Sequence, residues 1–207
     1  MSVETIPPPD AAPVAVPQAP SDAEKSLKLV VFAPDAAESA QIRRIRSYLD
    51  CGFDVTVFSM RRANMNEDFV PFWNNIHLYE TQNESPLRRL AAVAKSVAKV
   101  WTHRGHLAGA DVLVARNLDM LAIAAAARRM LGRRPALIYE CLDIHSLMTD
   151  PGAKGRATRA AERRLLAVTD RLIVSSPAFV REYFAPVQSR TGPVALIENK
   201  MWIAPDG

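Results

Sequence analysis

The sequence predicts an α/β fold, a single doubly wound parallel sheet with helices on both faces. Short apolar runs rich in β-forming residues alternate with segments of helical period along most of the chain. Most of these runs are almost continuously apolar, which is typical of parallel strands buried on both faces. The chain has 207 residues, 49% of them hydrophobic, which suffices for one such domain and its core.

Residues 1–25 differ in composition from the rest of the chain. Proline and alanine dominate this segment, and large apolar residues are few. Such a segment can bury too little apolar surface to fold, so we predict a disordered, polyproline-like tail. The predicted folded domain therefore spans residues 26–207.

The domain opens with a βαβ unit. Leu27–Ala33 is a short apolar run that predicts a buried strand. Glu38–Cys51 carries four large apolar side chains on one helical face, and Gly52 supplies a helix stop. Asp54–Ser59 predicts the second strand, and the order of these elements within a short stretch is that of a βαβ unit.

The middle of the chain continues the alternation. Ile76–Glu80 predicts a short strand and Leu87–His106 a helix. Ser85 is suited to cap that helix and Pro86 to begin its first turn. Asp111–Ala115 is an apolar run that predicts the next strand.

The last third repeats the pattern three times. The predicted helices are Leu118–Leu131, Ala157–Val168 and a short one from Ser176 to Phe184. The predicted strands are Ala136–Glu140, Arg171–Ser175 and Val194–Ile197. Strands and helices thus alternate to the end of the chain, which predicts a Rossmann-like doubly wound sheet.

The charge of the chain is basic. The formal net charge is +4, and residues after position 25 carry 25 bases and 18 acids, a net charge of +7. This surplus favours an anionic partner: a phosphate, a nucleotide, a nucleic acid or an acidic membrane surface. Charge alone does not choose among them.

Cysteine usage and hydropathy indicate the compartment. The chain has two cysteines far apart in sequence, a pattern that predicts neither a disulfide framework nor a zinc site. We find no signal peptide and no apolar stretch of about 20 residues that could span a bilayer. We therefore expect a cytoplasmic protein.

Polar side chains gather where the predicted strands end. Ligands of open doubly wound sheets bind beyond the carboxyl ends of the strands. The candidate site residues at that edge are Asp35, Arg61, Arg62, Arg116, Asn117, Glu140, Asp143, His145 and Ser176.

His145 is the most chemically versatile of these residues. A histidine can bind a phosphate or a sugar hydroxyl, or move a proton near neutral pH, and Asp143 lies two residues before it. The alternative is a histidine that caps the next helix or packs under a loop. The sequence favours neither interpretation.

The arginines allow two interpretations as well. Arg116 could clamp a phosphate or carboxylate, but an internal ion pair with Glu140 or Asp143 is favoured slightly. Arg61 and Arg62 begin a predicted basic, polar loop that extends to Asn74. That loop could meet an anionic acceptor, although a solvated loop is the more common case.

The helix predicted at residues 87–106 is amphipathic and basic. Its apolar stripe comprises Leu87, Leu90, Ala91, Ala94, Val97, Ala98 and Trp101. We expect this stripe to pack on the sheet, and the surrounding basic face to contact an anionic membrane.

Several motifs are missing. The first strand is not followed by G-x-G-x-x-G, and the sequence contains no P-loop and no G-x-S-x-G elbow. These absences argue against a nucleotide bound at the first turn and against a hydrolase. No strand pattern suggests RNA recognition, so we expect no nucleic-acid partner.

Five stretches, in order, resemble the N-terminal domain of family 4-like glycosyltransferases of the GT-B fold. Within that family, the sequence is most similar to bacterial exopolysaccharide and capsule transferases, including the succinoglycan type. They are residues 39–60 with Arg61 and Arg62 behind them, Asp111–Asp119, Ala136–His145, Ala161–Phe179 and Val194–Lys200.

The resemblance implies a two-domain enzyme, of which this chain is the acceptor-side half. In such enzymes a C-terminal domain of about 150–200 residues binds a nucleotide-sugar donor. They are usually retaining and independent of metals, so the donor is a substrate and no cofactor is expected. Many act at the cytoplasmic membrane on lipid-linked acceptors.

The resemblance also implies roles for the candidate residues. The loop Glu140–His145 would face the donor sugar, with Asp143 and His145 as catalytic candidates. The remaining residues of the edge become substrate-binding candidates. They are Asp35, Arg61, Arg62, Arg116, Asn117, Glu140 and Ser176.

The sequence departs from the family pattern in three places. Pro34–Ala37 stands where many relatives have a glycine pair, and Leu142 stands where many have a histidine. The chain ends at Gly207, without a donor domain. We therefore expect the isolated chain to be inactive and to require a separate C-terminal domain chain.

Two other functions remain open at this point. The chain could be a non-catalytic acceptor-binding or regulatory module of the same fold. It could also be an unrelated α/β nucleotide-binding protein, which the ordered set of motifs disfavours.

Overall fold

A computed structural model describes residues 26–62, 66, 68–81, 86–132, 134–190 and 192–198. It contains one seven-stranded sheet whose strand pairs are all parallel, in the order β3-β2-β1-β4-β5-β6-β7. The strands are β1 (Lys28–Ala33), β2 (Asp54–Arg62), β3 (Asn74–Thr81), β4 (Val112–Ala115), β5 (Ala136–Cys141), β6 (Arg171–Val174) and β7 (Val194–Leu196). The predicted fold class is confirmed. The predicted tail lies outside the described residues.

The helices lie on both faces of this sheet. They are α1 (Ser39–Asp50), α2 (Pro86–Thr102), α3 (Leu118–Arg129), α4 (Ser146–Thr149), α5 (Ala153–Leu166) and α6 (Pro177–Phe179). A 3-10 turn at Arg104–Leu107 follows α2, and a π-helical turn at Val180–Phe184 follows α6. The predicted βαβ unit is confirmed, with Gly52 at a φ of 80°, a backbone conformation that favours glycine.

Alternating residues of the strands pack into two hydrophobic cores, one on each face of the sheet. Val30 and Phe32 of β1 pack into the larger core, which α2, α3 and α5 cover. Val31 and Ala33 point to the opposite face, where α1 and Trp73 cover a smaller core. Both faces are apolar, which explains why the strand sequences lack polar alternation.

Several element boundaries differ from the prediction. β2 continues through Arg61 and Arg62, because both residues pair with β3 after a register shift. The predicted loop start at these two arginines is therefore wrong. α5 begins at Ala153, and the short helix α4 before it was not predicted.

The start of α5 is held by a close backbone contact. A Cβ atom on Gly155 would lie 2.0 Å from the carbonyl oxygen of Asp150. Arg159 donates from Nη1 to the carbonyl oxygens of Met148 and Asp150, at 2.9 and 2.7 Å. These contacts fold the chain tightly between α4 and α5.

The predicted packing of α2 is wrong. Leu90 and Trp101, which belong to the predicted buried stripe, are 67% and 51% exposed. The side of the helix that carries Ala92, Ser96 and Val100 is buried instead, and α2 contacts α3 and β3. Of the predicted stripe, Val97 does pack against the larger core, whereas α3 and β3 bury the side of α2 that carries the smaller and β-branched side chains. Within the described part of the chain, no helix has both the length and the hydropathy to cross a membrane.

Candidate functional site

The candidate site lies where the strand order reverses direction. β1 and β4 are neighbours, but the chain leaves them toward opposite sides of the sheet. α1 follows β1 on one face and α3 follows β4 on the other, as their core residues Ile45 and Met120 show. In open α/β sheets, ligands usually bind at such a topological switch point, beyond the carboxyl ends of the strands.

A buried charge network forms the floor of the site. The Glu140 carboxylate accepts from Arg44 Nη2 at 2.8 Å and lies 3.0 Å from Arg116 Nε. Arg116 also donates from Nη1 to Gln41 Oε1. Glu140 and Arg116 are 0% and 4% exposed, so the internal ion pair considered for Arg116 is confirmed. Sequence reasoning missed Gln41 and Arg44, which α1 contributes.

The network affects a neighbouring phenol. Burial, followed by the negative charge of Glu140, raises the pKa of Tyr48 to about 12. The Tyr48 hydroxyl therefore stays neutral throughout the physiological pH range. The two arginines act in the opposite direction on this pKa and do not outweigh burial.

Asp35 shapes the loop that follows β1. Its side chain is 1% exposed, and Oδ1 accepts from the Ala37 amide at 2.9 Å. Its Oδ2 is buried and has no hydrogen-bond partner among the residues that the structure describes. The Ala36 amide donates to the Met60 carbonyl at 3.1 Å, and both alanines are buried. The loop thus packs tightly without the glycine pair that the family pattern has there.

Three of the predicted site residues cap helices. Asn117 Oδ1 accepts from Met120 N at 2.9 Å, and Ser176 Oγ accepts from Ala178 N at 3.2 Å. His145 Nδ1 accepts from Leu147 N at 3.1 Å, so the helix-capping alternative for His145 is confirmed. Because Nδ1 accepts, the neutral imidazole carries its proton on Nε2.

Asp143 and His145 are the exposed groups of the loop after β5. Two hydrogen bonds to its backbone anchor the loop. Cys141 Sγ donates to the Asp143 carbonyl at 3.3 Å, and Ser175 Oγ donates to the Leu142 carbonyl at 3.0 Å. Burial raises the pKa of the Cys141 thiol to about 12, so this cysteine is not a nucleophile. The arrangement presents one carboxylate and one imidazole to solvent on an anchored loop.

The two arginines of β2 differ in their roles. Arg61 donates from Nη1 to the Phe69 carbonyl at 3.1 Å and from Nη2 to the Asn66 carbonyl at 2.8 Å. It therefore holds the segment that follows β2. Arg62 is exposed at the end of the strand.

The structure brings most of the predicted site residues to one sheet edge. Asp35, Arg116 and Glu140 are buried at the centre, and Asn117 and Ser176 are half-buried. Among the described residues, no group of three or more histidine, cysteine, aspartate or glutamate side chains is placed to hold a metal ion. The edge offers hydrogen-bonding groups suited to hydroxyl-rich or phosphorylated ligands.

The sheet topology and its helices define a Rossmann-like α/β domain, with the candidate site at the carboxyl edge of its sheet. The chain belongs to the glycosyl transferase 4-like domain family, whose model matches residues 36–200. The predicted resemblance to the N-terminal domain of GT-B glycosyltransferases is thereby confirmed.

A curated relative connects the family to polysaccharide biosynthesis. The chain is 37% identical over 175 residues to the succinoglycan biosynthesis protein ExoL of Rhizobium meliloti (strain 1021). The match covers 84% of this chain and 43% of that protein. The chain thus spans less than half the length of this relative.

Two solved structures of sucrose-phosphate synthase from Thermosynechococcus elongatus share the fold. The first has a TM-score of 0.58 at 14% identity, and the match covers 83% of this chain and 88% of that one. The second, a longer chain, has a TM-score of 0.60 at 13% identity, and the match covers 83% and 48%. At these identities the likeness concerns the fold alone.

Proposed function

We propose that this chain is the acceptor-side half of a glycosyltransferase. The complete enzyme transfers a sugar from a nucleotide-sugar donor to a glycan or lipid-linked acceptor in bacterial polysaccharide biosynthesis. The observation that carries the proposal is the anchored loop after β5, which presents Asp143 and His145 to solvent at the carboxyl edge of the sheet, next to the strand that borders the switch point. Family membership and the succinoglycan relative support the reaction class.

Each candidate residue has a chemical role in this proposal. The exposed carboxylate of Asp143 accepts a hydrogen bond from a sugar hydroxyl, and the Nε2–H of His145 donates to a hydroxyl or phosphate oxygen. Asn117, Ser176 and Arg62 contact the acceptor from the ends of β4, β6 and β2, respectively. Arg116, Glu140 and Asp35 are buried, so they do not contact the substrate in this proposal. The Arg116–Glu140 ion pair and Asp35 hold the loops in place instead.

Transfer also requires a donor site. Positioning donor and acceptor together supplies much of the rate acceleration in such reactions. We propose that a second Rossmann-like domain, in the same polypeptide or in a separate chain, binds the nucleotide-sugar. The reaction then proceeds with retention, without a metal or a cofactor. The 207-residue chain alone is expected to show no turnover of a nucleotide-sugar.

The proposal can be tested in a chimera with the relative. The segment of ExoL that matches this chain is replaced by residues 27–200, and succinoglycan production is measured in an ExoL-deficient strain of Rhizobium meliloti. We expect the chimera to restore production, and Asp143→Ala or His145→Ala to lower it at least tenfold. Arg164→Ala serves as the control, because Arg164 is exposed in the last turn of α5, at the opposite edge of the sheet.

The outcomes separate the two functions that remain open. Restored production that is unchanged in the Asp143→Ala/His145→Ala double variant would show that the proposed site is wrong. If the folded chimera restores no production but still binds succinoglycan oligosaccharides, the chain is a non-catalytic acceptor-binding module.

We further propose that α2 places the chain at the cytoplasmic face of the plasma membrane. The exposed Leu90 and Trp101 lie on its outer side, and the Arg104 guanidinium stacks over the Trp101 ring at 5.1 Å. The helix sequence includes four basic residues and no acidic one. An exposed apolar stripe with basic flanks fits an anionic bilayer surface.

A further inference from the structure

A half-open surface cavity of about 410 Å³ lies at the edge of the sheet opposite the candidate site. It is formed by the end of α3, by Gly132 and Arg134 before β5, and by Val168 just after α5. Three arginines line it, Arg128, Arg129 and Arg134, together with an apolar wall of Ala125, Leu131 and Val168. The last turn of α3 and the starts of β5 and β6 all lie at the amino-terminal edge, because the strands are parallel.

One of the arginines is fixed by the fold. Arg128 pairs through Nη2 with the Asp170 carboxylate, and its Nη1 donates to the Val168 carbonyl at 2.7 Å. Asp170 in turn accepts from the Leu137 amide at 2.8 Å. The Arg128 guanidinium is therefore pre-positioned on the cavity wall at little further entropic cost.

The other two arginines leave the cavity positively charged. Arg129 and Arg134 are exposed, and neither forms an ion pair with another residue of the described chain. Asp170 offsets one of the three positive charges. The carboxyl end of α3 contributes roughly half a negative charge. The cavity therefore keeps a net positive charge. The three arginines carry more positive charge than Asp170 and the helix end together neutralise.

The charge, size and apolar wall of the cavity indicate which class of ligand it can bind. Guanidinium groups bind phosphate oxygens through paired hydrogen bonds. A bare phosphate would fill only part of 410 Å³, and the apolar wall suits a substituent that carries no charge. We propose that this cavity is a second ligand site, which binds the phosphate group of a phosphate ester.

The proposal is independent of the sugar-transfer site, which lies at the opposite sheet edge. The phosphate could belong to a soluble ester or to a lipid headgroup. The arginines would bind the phosphate oxygens of either compound in the same way. Two probes therefore distinguish these sources in the experiment below. Phenyl phosphate represents a soluble ester, and phosphatidylcholine vesicles with phosphatidic acid represent the membrane.

The test compares two double variants of equal charge. Arg129→Gln/Arg134→Gln removes the two unpaired arginines. It keeps Arg128, because loss of Arg128 would leave the Asp170 carboxylate without its ion-pair partner. Arg46→Gln/Arg164→Gln removes two exposed arginines outside the cavity and is the matched control. Binding of phenyl phosphate is measured by isothermal titration calorimetry, and binding to vesicles by cosedimentation. Circular dichroism verifies that both variants fold.

We expect saturable binding of phenyl phosphate that weakens at least fivefold in the cavity variant and stays unchanged in the control. If vesicle binding falls in the cavity variant as well, a lipid headgroup reaches the site. If vesicle binding is the same in both variants, the source is a soluble ester. Absence of saturable phenyl phosphate binding, or equal weakening in both double variants, would overturn the proposal.

Discussion

Arg116 Nε lies 3.0 Å from Glu140 Oε2, and the two side chains are almost completely withdrawn from solvent. They extend from the ends of neighbouring strands, and Arg44 of α1 contacts the other carboxylate oxygen at 2.8 Å. One carboxylate thus joins β4, β5 and α1 beneath the candidate site. The position of the loops above depends on this junction.

Loss of the Glu140 charge should destabilise the protein. Glu140→Gln leaves two buried or half-buried guanidinium groups without their counterion, and breaking such a pair typically costs about 3–5 kcal/mol. Urea unfolding followed by circular dichroism measures the change. Glu182→Gln disrupts the exposed pair with Arg181 and should cost less than about 1 kcal/mol. A Glu140→Gln protein as stable as the Glu182→Gln control would contradict this account.

Glu162 should make stability depend on pH. Its carboxylate accepts from the Tyr183 hydroxyl and from Gln188 Nε2, both at 2.5 Å, in a buried cluster. Burial raises the pKa of Glu162 above its ordinary value, and the hydrogen bonds only partly oppose this shift. Because the folded pKa is raised, the contribution is fully present below the unfolded pKa and is lost as pH rises through the folded pKa.

The measurement compares Glu162→Gln with the wild type. Unfolding free energies are determined at a series of pH values upward from about pH 4. The advantage of the wild type over Glu162→Gln should decrease as the pH rises, because glutamine does not ionise. The exposed Glu182→Gln variant should show no such trend. A difference that grows with pH would show that the folded pKa is lowered instead.

Removal of the Asn117 cap should weaken α3. Asn117→Ala leaves the Met120 amide without its side-chain acceptor, and loss of such a cap costs about 1 kcal/mol. Asn117→Asp should keep most of the stability, since aspartate caps equally well. If Asn117 also contacts the acceptor, Asn117→Asp will lower succinoglycan production in the chimera despite near-normal stability. Thermal unfolding and the production assay separate the two effects.

The outer side of α2 should control membrane binding. Leu90→Ser/Trp101→Ser removes the exposed apolar groups and should abolish cosedimentation with anionic vesicles at low salt. Val70→Ser, an exposed apolar residue outside α2, should leave binding intact. Wild-type binding should also fall as salt increases, because surface charges are screened. Failure of the wild type to bind at low salt would end this proposal.

The strand pattern was predictable because it depends on local sequence. Buried parallel strands require continuous apolar runs, so the βαβ unit and every later strand could be recognised from the order of residues. The gathering of Asp35, Arg116, Glu140 and His145 at one edge then follows from parallel topology alone. The ion pair of Arg116 with Glu140 was expected for the same reason.

Three features were not predictable because they depend on distant parts of the chain. Arg44 meets Glu140 although 96 residues separate them, and no local pattern marks that contact. Arg61 extends β2 because β3 offers it a partner. The exposed side of α2 is decided by packing against α3 and β3.

The order of residues was enough to predict the fold class and the sheet edge that carries the polar groups, because both depend on hydrophobic period and strand order. Which of those groups are exposed to a ligand became clear from the three-dimensional packing. Asp35, Arg116 and Glu140 are buried, whereas Asp143 and His145 are exposed. The reason is physical: burial of the Arg116 and Glu140 charges is favourable because they are paired, and Arg44, which also pairs with Glu140, lies 96 residues away in the chain.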